Sequence, residues 1–220
     1  MHIAPDIFQV GGQDHSSPED AAVYLVADGD QAALVDAGCG GTTDRILDNI
    51  TAAGVEPATI RWLLLTHCHF DHSGGAGAIR ERLGCRLAAH EADAPYLEAG
   101  DAKVTAADWY GRQMPPLPVD HVIRGGGETF TLVQRRIEAI HMPGHSPGSV
   151  VYVTESDEHK IVFAQDVHGP LSPAFKSDAA AYRRSLEKLM ALEADILCEG
   201  HFGVIHGKQA VKRFIADYLN

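Results

Sequence analysis

Short apolar runs at residues 7–10, 22–26 and 32–35, separated by Gly, Asp and Ser, predict a β-meander, with Asp28-Gly29-Asp30 as a hairpin turn. The period then changes. Ile46, Leu47 and Ile50 share one helical face, so a helix is expected over 43–53, capped by Thr43 and ended by Gly54. Residues 60–65 are almost wholly apolar, the pattern of a strand covered on both faces. This strand leads directly into Thr66-His67-Cys68-His69-Phe70-Asp71-His72. Gly74, Gly75 and Gly77 open a helix ending at Leu83, and residues 86–89 form a short strand.

From 91 to 118 the pattern becomes one or two short helices carrying Trp109 and Tyr110, closed by the stiff Met114-Pro115-Pro116-Leu117-Pro118 segment. That stretch is expected to be a helical lid inserted into one domain spanning residues 1–220. Strands return at 130–133, 136–141, 149–153 and 161–164. A helix over 178–192, a strand at 196–198 and a helix after Gly207 complete the chain.

The 220 residues carry a formal charge of −12 with no Lys/Arg cluster, which argues against a nucleic acid partner. The longest apolar run, 21–27, is too short for a bilayer, and the first thirty residues lack a leader pattern. Cys39, Cys68, Cys85 and Cys198 have no CxxC spacing, so a reducing compartment, the cytoplasm, is expected, with no membrane partner. Homo-oligomer formation is compatible with the sequence.

The candidate chemistry is concentrated at residues 67–72. His67 and His69 are two apart, so on extended backbone both rings leave the same face and can converge on one ion. Cys68, between them, is expected to point away as a buried filler. H-x-H-x-D-H arises by chance in on the order of a few per thousand chains of this size.

With that motif, the chain resembles the metallo-β-lactamase superfamily, whose members add a distant His, a bridging Asp and a final His, each at a strand end. The matching positions are His145 in Pro143-Gly144-His145-Ser146-Pro147-Gly148, Asp166 after Phe163-Ala164-Gln165, and His201 in Glu199-Gly200-His201. The resemblance implies an αββα sandwich of two mixed sheets flanked by helices, an α/β (α+β) class. It places His67, His69 and His145 on one metal, Asp71, His72 and His201 on a second, and Asp166 between them. It also sets Asp36, in an Asp-Ala-Gly turn, behind the site to orient a ligand imidazole. His15, His168, Trp109 and Tyr110 are candidate wall residues of a substrate pocket.

The implied cofactor is a pair of divalent ions, zinc first, with iron or manganese also suited to the N/O donors. Two such ions acidify water, so a bridging hydroxide is the expected nucleophile, with Asp71 and Asp166 as catalytic carboxylates. Two dications, two carboxylates and a hydroxide sum to about +1, which favours a small anionic or polar ester, thioester or lactone. The resemblance is closest to glyoxalase II-like hydrolases. Asp166 disfavours β-lactam hydrolysis, and the short stretch after His201 disfavours glutathione thioesters. The alternatives are an iron-dependent persulfide dioxygenase, another oxidoreductase of the same fold, or a noncatalytic metal or ligand binder.

Overall fold

The computed structural model describes residues 1–219, and their strands form two mixed sheets of seven and six strands. The first runs β1 (His2–Ala4), β2 (Ile7–Gly11), β3 (Val23–Asp28), β4 (Gln31–Val35), β5 (Ile60–Leu64), β6 (Arg86–His90) and β7 (His121–Ile123). Pairing is antiparallel from β1 to β4 and parallel from β4 to β7. In the second sheet β8 (Gly127–Thr131), β9 (Arg136–His141), β10 (Val150–Ser156) and β11 (His159–Phe163) pair antiparallel. β12 (Ile196–Cys198) joins β11 in parallel, and β13 (Val204–His206) closes the edge antiparallel to β12.

Alternation along the strands divides the apolar side chains between an inner and two outer layers. Tyr24, Val26, Ala33 and Val35 face inward against Tyr152, Phe163 and Ile137 of the other sheet. Val23, Leu25 and Leu34 face outward and pack with Ile46 and Ile50 of α1 (Thr43–Ala52), Ile79 of α3 (Ala76–Leu83) and Leu97 of α4 (Ala94–Ala99). Val151, Val153 and Val162 cover the opposite outer face with Leu186 and Leu189 of α5 (Ala179–Ala191) and Val211 and Ile215 of α6 (Lys208–Asp217). The result is the four-layered αββα sandwich. No described helix is long and apolar enough to cross a membrane.

Each half repeats one unit: two antiparallel strands, a helix, and a strand parallel to the second of the pair, β3-β4-α1-β5 and β10-β11-α5-β12. A parallel neighbour requires a crossover, and the helix supplies it. The loops leaving β4, β5, β11 and β12 carry Asp36, residues 65–72, Asp166 and residues 199–201.

Local departures from the sequence expectation have identifiable causes. β8 ends at Thr131, earlier than the apolar run 130–133 suggests, because residues 132–135 turn back with Leu132 N–H donating to Arg135 O. Asp28 accepts the Gln134 and Arg135 N–H groups at that turn. The cap position of α1 is Thr42 rather than Thr43, and Thr42 donates to Asp20 instead of capping by its side chain. The helix expected to end at Leu83 is α3, with Gly75 at its N-cap and Gly77 in its first turn, but an unexpected single turn, α2 (Phe70–Ser73), precedes it with Gly74 as its C-cap. Asp71 and His72 therefore ride on a helical turn. The stretch 91–118 contains α4 and the 3-10 turn Ala107–Tyr110, short elements of the kind expected there.

Candidate metal centre

Beyond Leu65 the backbone leaves the sheet, and its first polar group, Thr66, is fixed by a carboxylate from the neighbouring strand end. Asp36 accepts Thr66 N–H and Thr66 Oγ1–H, both at 2.8 Å, and His72 Nδ1 at 2.8 Å. Asp36 has φ 64°, a left-handed conformation that Asp tolerates better than most residues. These bonds settle two tautomers. His72 donates from Nδ1 to Asp36, so Nε2 turns toward the site. The Thr66 hydroxyl spends its one proton on Asp36 and accepts from His67 Nδ1 at 3.0 Å, which frees His67 Nε2 as well.

The other three residues come from separate loops. His145 follows Gly144, whose φ of 136° and backbone position leave no room for a side chain: a Cβ there would lie 2.2 Å from Tyr182 N. Asp166 and His201 are held in register by Glu199, which is fully buried. Its Oε1 accepts Val167 N–H and His168 Nδ1–H at 2.9 Å, and its Oε2 accepts His201 N–H at 2.7 Å and Phe202 N–H at 2.9 Å. Asp93, also buried, staples the two sides together. It accepts Cys68 N–H at 3.0 Å, Ser146 Oγ–H at 2.7 Å and Gly148 N–H at 2.7 Å. Burial pushes the Asp93 carboxyl up, against the pull of those hydrogen bonds.

The seven side chains converge in two groups. His67, His69, His145 and Asp166 have donor atoms within 4.8 Å of one another, as do Asp71, His72, Asp166 and His201. Asp166 belongs to both: Oδ1 lies 3.0 Å from His72 Nε2, and Oδ2 lies 3.5 Å from His145 Nε2 and 3.4 Å from His201 Nε2. Asp71 Oδ2 stands 3.1 Å from His201 Nε2. Space is tight here, since a Cβ on Gly200 would sit 2.3 Å from Asp166 Oδ1.

A decisive observation concerns hydrogen bonds not made. The Nε2 atoms of His67, His69, His72 and His145 and Asp166 Oδ1 are buried without a hydrogen-bond partner in the described structure. Buried polar atoms are rarely left so, and here they aim at common points, the signature of metal ligands. The residues present thus fit a pair of cations. Burial and the neighbouring imidazoles hold His67 well below its ordinary value, so it is a neutral donor. For His72 burial acts downward too, but Asp166, Asp36 and Asp71 outweigh it and hold the ring well above its ordinary value. Burial likewise pulls His201 down, yet the Asp166 and Asp71 carboxylates, accepting from its ring, raise it to about 10.

A cavity of about 210 Å³ opens onto this cluster, lined by His69, Asp71, His145, Asp166 and His201 together with Trp109, Tyr110, His168 and Phe175. His168, Trp109 and Tyr110 therefore stand where a substrate pocket was expected. His15 does not. It lines an adjoining cavity with Gln9, Asp14, Asp20, Phe202 and His201, the ligand the two cavities share, and the turn over residues 12–16 folds back on itself through Gly12 O. Cys68 is buried in the outer core of the first sheet, as alternation predicts. Thr66, Asp93 and Glu199 carry no motif that marks them, because their work is done through backbone N–H groups and tautomers. Glu199 alone has a local signal, a charged residue closing an apolar strand beside Gly200-His201.

The model of the metallo-beta-lactamase superfamily matches residues 17–201. The chain belongs to this superfamily. Superfamily relatives include an acyl-coenzyme A thioesterase, MBLAC2, of Gallus gallus, 30% identical over 99% of this chain and 85% of the relative. A probable metallo-hydrolase, YqgX, of Bacillus subtilis is 32% identical over 68% of this chain and 67% of its own. A hydroxyacylglutathione hydrolase of Anaeromyxobacter dehalogenans is 33% identical over 60% of this chain, but only 42% of the relative is covered. Among solved structures, a metallo-beta-lactamase of Cronobacter sakazakii superposes with a TM-score of 0.83 over 99% of this chain and 93% of its own, at 24% identity. That likeness is one of superfamily fold. It covers both sheets and all four layers.

Proposed function

We propose that this superfamily member is a dinuclear metal-dependent hydrolase that cleaves a small acyl thioester. The observation that carries the reading is the pair of ligand groups sharing Asp166, with four imidazole Nε2 atoms unbonded and aimed inward. His67, His69 and His145 would hold one ion, Asp71, His72 and His201 the other, and Asp166 would reach both. Two divalent cations, zinc foremost with iron or manganese compatible, would polarise the carbonyl and acidify a water to near neutrality.

The chain's own residues do the rest. Asp71, with Oδ2 on the cavity side near His201, is placed to take the proton of the attacking water. The Tyr110 hydroxyl faces Asp71 and is held protonated by burial and by the nearby carboxylate, so it serves as a donor that orients Asp71. His168 gives its Nδ1 proton to Glu199 and keeps its ring at the cavity wall. Asp36 fixes the His72 ring so that it presents Nε2.

Leaving-group chemistry favours a thioester over an ester. A thiol near its ordinary pKa of about 8.5 departs as thiolate close to neutrality, whereas an alkoxide needs a strong proton donor. No Lys, Arg, Ser or Thr lines the cavity. The expected preference for an anionic substrate consequently rests on the ions' charge alone. The thioesterase among the relatives supports the same class of bond. We take residues 1–220 as one domain, with 91–118 as a lid that brings Trp109 and Tyr110 over the centre.

The test is to measure metal content and thiol release together. Protein purified with zinc should carry two ions per chain and release thiol from acetyl and longer acyl thioesters faster than it cleaves matched oxygen esters or lactones. A fully loaded protein inert toward every thioester would refute the reading.

A further inference from the structure

Five large apolar side chains are exposed among the described residues, and three of them, Trp109 at 63%, Phe202 at 59% and Leu171 at 38%, belong to or adjoin residues that line the metal cavity. Trp109 and Pro170 line it directly, Leu171 follows Pro170, and the Phe202 ring packs 5.1 Å from His168. Scattered exposed apolar residues need no explanation, but a cluster around a functional opening does.

The cluster continues inward. Trp109 lies 4.6 Å from the Phe175 ring, and Phe175, fully buried, lies 4.5 Å from the His69 ring. Trp109 is not simply a core residue that missed its place. It projects from a 3-10 turn bounded by Ala106 and Gly111, both left-handed, while its neighbour Ala107 is fully buried. Trp109 thus stays at the surface, its ring tilted at 56° to Phe175 and mostly exposed.

Volume decides what this wall meets. A cavity of about 210 Å³ holds roughly seven waters, at about 30 Å³ each, and is smaller than the pockets that enclose drug-sized ligands. It accommodates the reacting carbonyl and a few atoms beside it. Any longer group must run out past this lining, which holds the Trp109, Tyr110 and Phe175 rings and no Lys or Arg.

We propose that Trp109, backed by Phe175, determines specificity for the acyl group: the apolar chain of the thioester leaves the cavity across the Trp109 face. This rests on the thioesterase reading and goes beyond it, since it names the side of the substrate that the protein recognises and the residue that recognises it. Each methylene laid on the rim should raise kcat/KM about threefold to fourfold, the equivalent of about 0.8 kcal/mol of apolar burial.

The experiment uses the zinc-loaded protein with N-acetylcysteamine thioesters of two to ten acyl carbons, which keep the leaving group constant. The quantity read is the ratio of kcat/KM for the ten-carbon to the two-carbon substrate. Trp109→Ala should lower that ratio at least tenfold, and Trp109→Phe should keep it within about threefold of wild type. An unchanged ratio in Trp109→Ala, whether or not absolute rates fall, would overturn the proposal. A second readout is intrinsic fluorescence, since the chain has only two tryptophans. Decanoate should shift the emission of wild type and leave Trp109→Ala unmoved. Decanoate binding at Trp109 without hydrolysis of any thioester would sink the thioesterase reading and leave this inference standing. Thioester hydrolysis with no fluorescence change and a flat series would do the reverse. Self-association of wild type that Trp109→Ala abolishes, with an unchanged ratio, would make the rim a surface between copies and also overturn the inference.

Discussion

The first half of the centre is supplied by one stretch, residues 67–72, hung on the end of β5, whereas the second is assembled from loops at 145, 166 and 201. The two are also braced differently. In the first, Asp36 and Thr66 act on the imidazoles themselves and choose which ring nitrogen faces the ions. In the second, Glu199 acts on backbone, tying Val167, His201 and Phe202 N–H groups to one carboxylate. A local motif already has its residues adjacent and needs only orientation. Ligands distant in sequence need their loops brought to one place first. The carboxylate that serves each half is therefore expected to fail in a different way when altered.

The largest effect should come from the residue common to both halves. Asp166→Asn removes the carboxylate shared by the two groups, and should cut kcat/KM by more than the about 100-fold typical of a supporting residue. Elemental analysis should show fewer than two ions per chain. Next, Asp36→Asn should cost about 10- to 100-fold in activity or metal affinity with little change in Tm. Asn keeps an acceptor for Thr66 N–H, but its amide then donates to His72 Nδ1 and drives the ring proton onto Nε2. Proton-resolved NMR of the His72 tautomer, read beside the melting curve, checks this.

Glu199→Gln reverses that pattern. An amide placed among three backbone donors and an imidazole leaves buried groups unpaired, at about 1–3 kcal/mol, so thermal melting should fall by roughly 2 to 12 °C. The protein should lose metal from the His201 side first. If Glu199→Gln melted like wild type while Asp36→Asn unfolded, the contrast between the halves would be wrong. The smallest effect is expected at His15, which lines the neighbouring cavity and touches the metal cavity only through the shared His201. His15→Ala should change kcat/KM by no more than about twofold, within the range of ordinary surface substitutions.

How far this was legible in the sequence follows the same division. The hexapeptide at 67–72 announces itself because its residues are adjacent, and a resemblance extends it to His145, Asp166 and His201, which the fold does bring together. The main strands and α1, α3 and α5 follow from apolar period. Of the four described three-residue strands, β12 is marked by its apolar Ile-Leu-Cys run, whereas β1, β7 and β13 are not, since so short a run carries no period and pairs only where a neighbouring strand offers its edge. Asp93 accepts bonds from partners 25 to 55 residues away, and Glu199 from partners up to 32 away, and neither separation follows any helical or strand repeat. His15, suggested as a pocket wall by its glycine-rich loop, lines a neighbouring cavity that meets the metal cavity at His201.

Anomalous diffraction from crystals of the zinc-loaded protein, collected across the zinc edge, tests the central claim most directly. The account predicts two zinc peaks, one among His67, His69 and His145 and one among Asp71, His72 and His201, with the Asp166 carboxylate in contact with both. A single peak, or zinc bound away from Asp166, would contradict it.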